Sequence, residues 1–318
     1  MMEDNVHKLS KRTPLRFDLQ EEKGLRKFLN PERPYIWLVP ILTILFVMAL
    51  FPLPYAIWLS VVELDPVRHV WKFVGAVNWI KIFNDPRAIN SLIVTAKYVS
   101  GCIVVELVLG LGFALLLYKP GSRWLAVFRT LLIMPMMMTM VIVGLIFQLM
   151  YHSEWGVISY YLYKLGIVSP KEPLLGGTGK WALPAVISAD VWQWTPFMFI
   201  IIYAGLQGLP KTPILAARVD GASSWQTFRY VTFPLLRPVL GIAFLIRLAD
   251  LIARSFDYIY VMTYGGPVGG VTEVYVFYIF KQAFGFAKWG YGAALSVFLL
   301  LLIIILFNII VKVFKIKF

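Results

Sequence analysis

Long apolar stretches alternate with short polar ones along the whole chain. Each apolar stretch approaches the roughly twenty residues that cross a bilayer as a helix. Six spans are predicted, at residues 34–60, 89–118, 124–151, 182–209, 239–262 and 290–311. The pattern is that of an all-α polytopic membrane protein. Residues 1–33 form a polar tail, the spans occupy one membrane domain over 34–318, and polar connectors of about thirty residues include 61–88 and 152–181. Pro40, Pro52 and Pro54 lie in the first span, tolerable where neighbouring helices satisfy the freed carbonyls. In the second span Gly101, Gly110 and Gly112 suit close helix packing, because small residues let backbones touch. The third span holds Met134, Met136, Met137, Met138 and Met140, either plain core filler or adaptable packing on a moving surface.

Composition narrows the class. The 318 residues are 59% hydrophobic and 15% charged, with mean hydropathy +0.75, which few water-soluble folds tolerate. A net charge of +13 could suit nucleic acid, but no such motif is present and the basic residues flank the spans. Both tails, the 119–129 turn and the 210–238 segment hold 18 of the 30 Lys and Arg, against nine in the opposite loops and three inside spans. The positive-inside rule therefore places both termini and the 210–238 segment in the cytoplasm. Cys102 is the one cysteine, and His7, His69 and His152 lie outside the spans, so neither a metal site nor a histidine relay is expected. The first thirty residues mix acidic and basic groups, and no cleavable signal is expected there. Gly176 to Trp181 looks at first like a phosphate-binding loop, but Leu174 and Trp181 stand where glycine and Ser or Thr are needed. No cofactor is expected on this chain, and its energy has to come from elsewhere.

The polar island Leu215 to Pro238 reads LAARVDGASSWQTFRYVTFPLLRP. Two short helical pieces joined near Asp220 and Gly221 are predicted, with Pro234 and Pro238 ending one helix or opening the next. Ala216, Ala217 and Ala222 give a low-relief surface that another protein can approach closely. This island resembles the "EAA" loop of membrane subunits of bacterial ATP-binding-cassette (ABC) importers, matching at Ala216, Ala217, Asp220, Gly221, Ala222 and Pro234. Leu215 stands where the family usually has Glu, and Phe233 where it has Leu. Phe73-Val74-Gly75, Asn84-Asp85-Pro86 and Thr263 to Pro267 resemble the family's external segments, so the likeness covers nearly the whole chain from Phe73 onward.

The resemblance implies a type I ABC importer permease fold and a subunit of the maltose and glycerol-phosphate branch, in a bacterial inner membrane. It implies a second homologous permease, an ABC ATPase dimer carrying ATP and Mg, an extracytoplasmic solute-binding protein, and a sugar, polyol or sugar phosphate as cargo. On that view the chain is no enzyme: the six matched residues couple it to the ATPase, and alternating access moves the cargo. The leading alternative is a secondary transporter driven by an ion gradient, which would show inverted repeats with broken helices. An intramembrane enzyme would need a catalytic constellation, and none is visible.

Charges inside spans mark pairs or water-filled paths. Arg247, Asp250, Arg254 and Asp257 recur at offsets of three, four and three, so they share one helix face as an ion-pair ladder or a path lining. Asp190, Gln193, Trp194 and Phe197 also share a face, with a carboxylate and an amide for hydroxyls and two aromatic rings for the apolar side of a sugar. Trp192, Pro196 and Phe197 resemble the W-x-x-x-P-aromatic pattern of maltose-type subunits. The corresponding register on the fifth span gives Leu251, Ile252 and Ser255, with Ser255 the polar member. Lys97 and Glu106, nine residues apart, cannot pair directly and receive no role. Tyr258, Tyr260 and Tyr264 fit an interfacial belt or a receiving funnel.

Overall fold

The computed structural model describes residues 34–65, 70–118, 123–169, 173–176, 179–266 and 270–314. The tail 1–33, the turn 119–122, Pro267 and the last lysines, Lys315 and Lys317, lie outside the described residues. The chain divides into two units, Met1–Tyr55 and Ala56–Phe318, each taken by itself.

In the first unit, α1 (Pro34–Leu50) is apolar around its circumference, and after a bend at Phe51 Pro52 opens α2 (Pro52–Ser60), whose residues from Ala56 onward belong to the second unit. In the second unit the hairpin β1 (Val62–Asp65) and β2 (Val70–Phe73) pairs antiparallel, Val62 opposite Phe73. A short amphipathic helix, α3 (Val77–Asn84), follows, and its Asn78 amide bonds the carbonyl of Ser60 at 3.0 Å. Neither the hairpin nor α3 was expected in the 61–88 connector.

The long helix α4 (Pro86–Leu117) starts where Asp85 caps it, accepting from the N–H groups of Arg87 at 2.9 Å and Ala88 at 3.4 Å. Pro86 at the first turn loses no hydrogen bond there. Against α4 lies α8 (Ala182–Gln207), the most extensive helix pairing in the unit. Two of the three expected glycines make that approach: a Cβ on Gly110 would lie 2.7 Å from Met198 Cβ, and one on Gly101 2.8 Å from Ile187. Gly112 faces open space.

The third expected span is not one helix. It comprises α5 (Arg123–Ile133), a 3-10 turn (Met134–Met137) and α6 (Met140–Met150), with a 96° bend at the break. Pro135 supplies no N–H, Met138 is extended, and the Thr139 hydroxyl accepts from Ile142 N–H to cap a new helix. Helix α7 (Val157–Lys164) lies in the connector before α8. Helices α9 (Lys211–Val219) and α10 (Ser224–Thr227), then a π-helical turn (Phe228–Thr232), lead into α11 (Phe233–Met262). That helix begins six residues before the expected boundary because Pro234 sits in its first turn. Last come α12 (Tyr275–Phe280), a second π-helical turn (Lys281–Gly285) and α13 (Trp289–Phe314).

Among the described residues, four helical stretches are long and apolar enough to cross a membrane: Leu38–Ser60, α4, α8 and Trp289–Lys312 of α13. The bent α5–α6 pair makes a fifth if it counts as one broken span. The 30-residue α11 is long enough but carries Arg247, Asp250, Arg254 and Asp257, too many charges for an apolar span. The chain is thus a polytopic helical membrane protein with four or five apolar spans.

At one end of this unit two carboxylates gather several elements. Asp85 accepts from the hydroxyls of Tyr278 (2.5 Å) and Tyr291 (2.8 Å), joining α4 to α12 and α13. Burial pushes the Asp85 carboxyl up, but these bonds and the capping N–H groups outweigh it and hold it below its ordinary value of 3.8. The buried Glu273 carboxylate takes Arg87 at 2.8 Å and Lys281 at 3.0 Å. Gly266 completes the turn before Glu273 at φ +87, where a Cβ would also press on Thr272.

Candidate functional site

The polar centre of the bundle is the Arg247 guanidinium on α11. It forks onto Glu106 of α4, with Nε at 2.7 Å and Nη2 at 2.8 Å from the two carboxylate oxygens. Nη2 also donates to Asp190 of α8, and Nη1 to Asp250 at 2.5 Å. Tyr98 donates its hydroxyl to Asp190 at 2.5 Å. The Trp194 ring lies 4.8 Å from the guanidinium carbon. Side-chain exposure is 1% for Arg247, 0% for Glu106 and 4% for Asp190, so water cannot solvate these charges. Fixed partners replace it, and three helices are tied at one point.

Of the four charged residues expected to share a face of α11, Arg247 and Arg254 both pair with Asp250. Arg254 reaches Asp250 at 2.8 Å, while no salt bridge joins Asp257 among the described residues. Counting the joined groups, two guanidinium groups (Arg247 and Arg254) face three carboxylates (Glu106, Asp190 and Asp250). Cys102 Sγ and the carboxylates of Glu106 and Asp190 come within 4.8 Å of one another. Arg247 already takes both carboxylates, so this donor set does not fit a cation.

The residues expected to contact cargo divide into two groups. Asp190, Gln193 and Ser255 are buried and bonded to protein: Asp190 as above, Gln193 to the Met138 carbonyl and the Tyr258 hydroxyl, and Ser255 to the Ile252 carbonyl. Trp194 and Phe197 are half-buried and pack edge to face with centroids 6.0 Å apart. Tyr258 is neither belt nor funnel, since it is buried against Gln193, whereas Tyr260 and Tyr264 are exposed.

The role of Glu106 is not legible from its own helix, which offers it no cation within a turn. An acidic residue deep in an apolar stretch already asks for a cation on another helix, and Arg247 was available.

The 215–238 island forms a helical knob. Helix α9 ends in a Schellman motif: Ala222 N–H bonds Ala217 C=O at 2.9 Å and Gly221 N–H bonds Arg218 C=O at 3.1 Å. Gly221 is its left-handed residue, at φ +79. A capping box follows, Ser223 N–H to Gln226 Oε1 at 2.8 Å and Gln226 N–H to Ser223 Oγ at 3.3 Å, and starts α10. Ala216, Asp220 and Gly221 are exposed, and Ala217, Ala222 and Pro234 half-buried. Large apolar side chains stand out beside them: Val219 is 87% exposed, and Leu215, Trp225 and Tyr230 are also exposed.

Residues 106–316 match the family model of the binding-protein-dependent transport system inner membrane component. The chain belongs to this family.

As a family member it is a permease subunit of an ATP-driven ABC importer, a translocating component and not an enzyme. The permease is 33% identical over 281 residues to the trehalose/maltose transport system permease protein MalF of Thermococcus litoralis, covering 87% of this chain and 92% of that one. It is 29% identical over 282 residues to the sn-glycerol-3-phosphate transport system permease protein UgpA of Agrobacterium fabrum, covering 88% and 93%. Its fold matches a solved bacterial ABC transporter involved in import of the acidic polysaccharide alginate, with TM-score 0.75, 20% identity, and coverage of 93% and 98%. The matched segment begins at Glu106 and contains Asp190, Arg247 and the whole knob, so the charge seam and the projecting loop both lie in the family's common part.

Proposed function

We propose that the permease carries a sugar, polyol or sugar phosphate inward, driven by ATP hydrolysed on a partner. Relatives named for trehalose and maltose, sn-glycerol-3-phosphate and sulfoquinovosyl glycerol support that cargo class. In this reading α11 is a further crossing despite its charges, the bent α5–α6 pair counts as one, and six crossings leave both termini and the knob cytoplasmic. A second permease, an ABC ATPase dimer and an extracytoplasmic solute-binding protein complete the machine. Cargo passes beside Trp194 and Phe197, with Asp190, Gln193 and Ser255 behind them. Ala216, Ala217, Asp220, Gly221, Ala222 and Pro234 form the ATPase contact.

One observation carries the reading. The knob runs straight into α11, and α11 holds Arg247, which fastens α4 and α8. A push on the knob therefore acts on the helices that flank the proposed path. Uptake into liposomes containing the reconstituted complex tests this: transport is expected to require ATP and solute-binding protein, and to persist when ion gradients are collapsed. Uptake that follows an ion gradient without ATP would instead support a secondary transporter. Crosslinking of Val219→Cys to the ATPase checks the docking, and a crosslink to the binding protein alone would refute it.

A further inference from the structure

The corner between α5 and α6 leaves the Met138 carbonyl outside both helices. Met138 sits between the 3-10 turn and the Thr139 cap in extended conformation, and its C=O accepts from Gln193 Nε2 at 2.6 Å. Gln193 is fully buried, and its Oε1 accepts the hydroxyl of Tyr258, itself fully buried on α11. One primary amide thus serves as donor to the corner and acceptor from α11, a pairing that neither a carboxylate nor an aliphatic side chain can reproduce.

The surroundings make this bond the link between two bodies. Helix α6 rides on its neighbours along its length: Gly144 fits against Val261 of α11, where a Cβ would lie 3.3 Å away, and Tyr151 bonds Ser188 of α8. Helix α5 is held elsewhere, with Arg129 donating to the Leu117 carbonyl and lying 4.6 Å from the Tyr203 ring. Between these anchorages the corner exposes Met134 and Met137, the latter by 81%.

We infer that Gln193 is a positioning residue for translocation: resting on the reading that α8 and α11 flank the path, it makes the α5–α6 corner follow α11 and does not itself touch cargo. Its location one helical turn from Asp190 puts it on the same face as the Arg247 seam, so a shift of α11 reaches the corner through Tyr258 and this amide.

The test uses the full reconstituted complex in a Cys102→Ala background, with Met137→Cys as a maleimide-accessible reporter of the corner. In the otherwise unchanged complex, ATP is expected to alter the labelling rate. Gln193→Glu keeps the acceptor, loses the donor and sets a carboxylate against the Met138 carbonyl. It is expected to abolish the ATP-dependent change and lower maximal uptake about tenfold, with the half-saturating cargo concentration unchanged. Tyr258→Phe keeps the donor to Met138 and is expected to give a smaller loss of both. It decides the matter if Gln193→Glu fails to assemble. A raised half-saturating concentration with normal labelling would make Gln193 a cargo contact and overturn the inference, as would labelling indifferent to ATP in the parent, or variants that behave like the parent. If parent uptake needs no ATP, the transport reading fails instead, which separates the two.

Discussion

Replacing Arg247 by Met tests whether the three-helix seam holds the bundle together. Methionine roughly keeps the aliphatic volume but removes every donor. Glu106 loses a two-point pairing at 2.7 and 2.8 Å, Asp190 keeps the Tyr98 hydroxyl but no cation among the described residues, and Asp250 keeps Arg254. Glu106 and Asp190 have almost no access to water, so their charges are left uncompensated. Breaking a buried pair in this way costs about 3–5 kcal/mol. At roughly 2–4 °C per kcal/mol, the unfolding midpoint should fall by roughly 6–20 °C. Thermal unfolding of the detergent-solubilised complex, followed by tryptophan fluorescence, measures it. The triple variant Arg247→Met, Glu106→Gln, Asp190→Asn removes the stranded charges and should regain most of the loss, since a buried pair is often worth little more than the apolar groups that could replace it. A loss below about 1 kcal/mol for Arg247→Met, the range of an exposed pair, or a triple variant no better than the single one, would show that the seam does not hold these helices.

Three further outcomes are expected. Gly110→Ala should destabilise by about 1–3 kcal/mol because its methyl presses on Met198, whereas Gly112→Ala should stay within about 0.5 kcal/mol; equal effects in the same melting assay would refute the α4–α8 packing. Gly221→Ala meets no atom within 4 Å, so its cost is the left-handed backbone alone, about 1–2 kcal/mol, confined to the knob; ATP turnover per cargo molecule should rise while the melting midpoint of the bundle holds. Because the folded Asp85 carboxyl titrates below 3.8, the unfolded chain binds the extra proton first; the stability it adds is full above that pH and fades as pH falls through the folded value. Asp85→Asn should flatten that acid limb, and an unchanged limb would assign the acid sensitivity elsewhere.

Much of the architecture was legible because hydropathy reports burial in lipid directly. Helices α4, α8 and α13 end within about three residues of the expected spans, since unbroken apolar runs leave little choice. The α5–α6 corner was not legible that way: Met134 to Met140 is apolar but for Thr139, and hydropathy cannot tell a straight run from a bent one. Pro135 and Thr139 were the local signal, a missing donor followed by a helix cap. The Asp-Gly-Ala stretch of the knob is legible as a join between two helices, for there the backbone itself demands glycine. The α8 face was legible as a face, but not what its polar groups do. Helical periodicity puts Asp190 and Gln193 side by side, while their partners, Arg247, Tyr258 and the Met138 carbonyl, come from elements more than fifty positions away. The same blindness to distant partners hid Glu106.

Arg247 divides α11 almost evenly: at 1.5 Å per residue it stands about 21 Å from Phe233 and about 22 Å from Met262. A rod free to tilt about such a midpoint behaves as a balanced lever. Tilting its lower arm by a given amount swings the upper arm equally far the opposite way, with neither gain nor loss. Were the fulcrum moved one turn along the rod, the two strokes would no longer match.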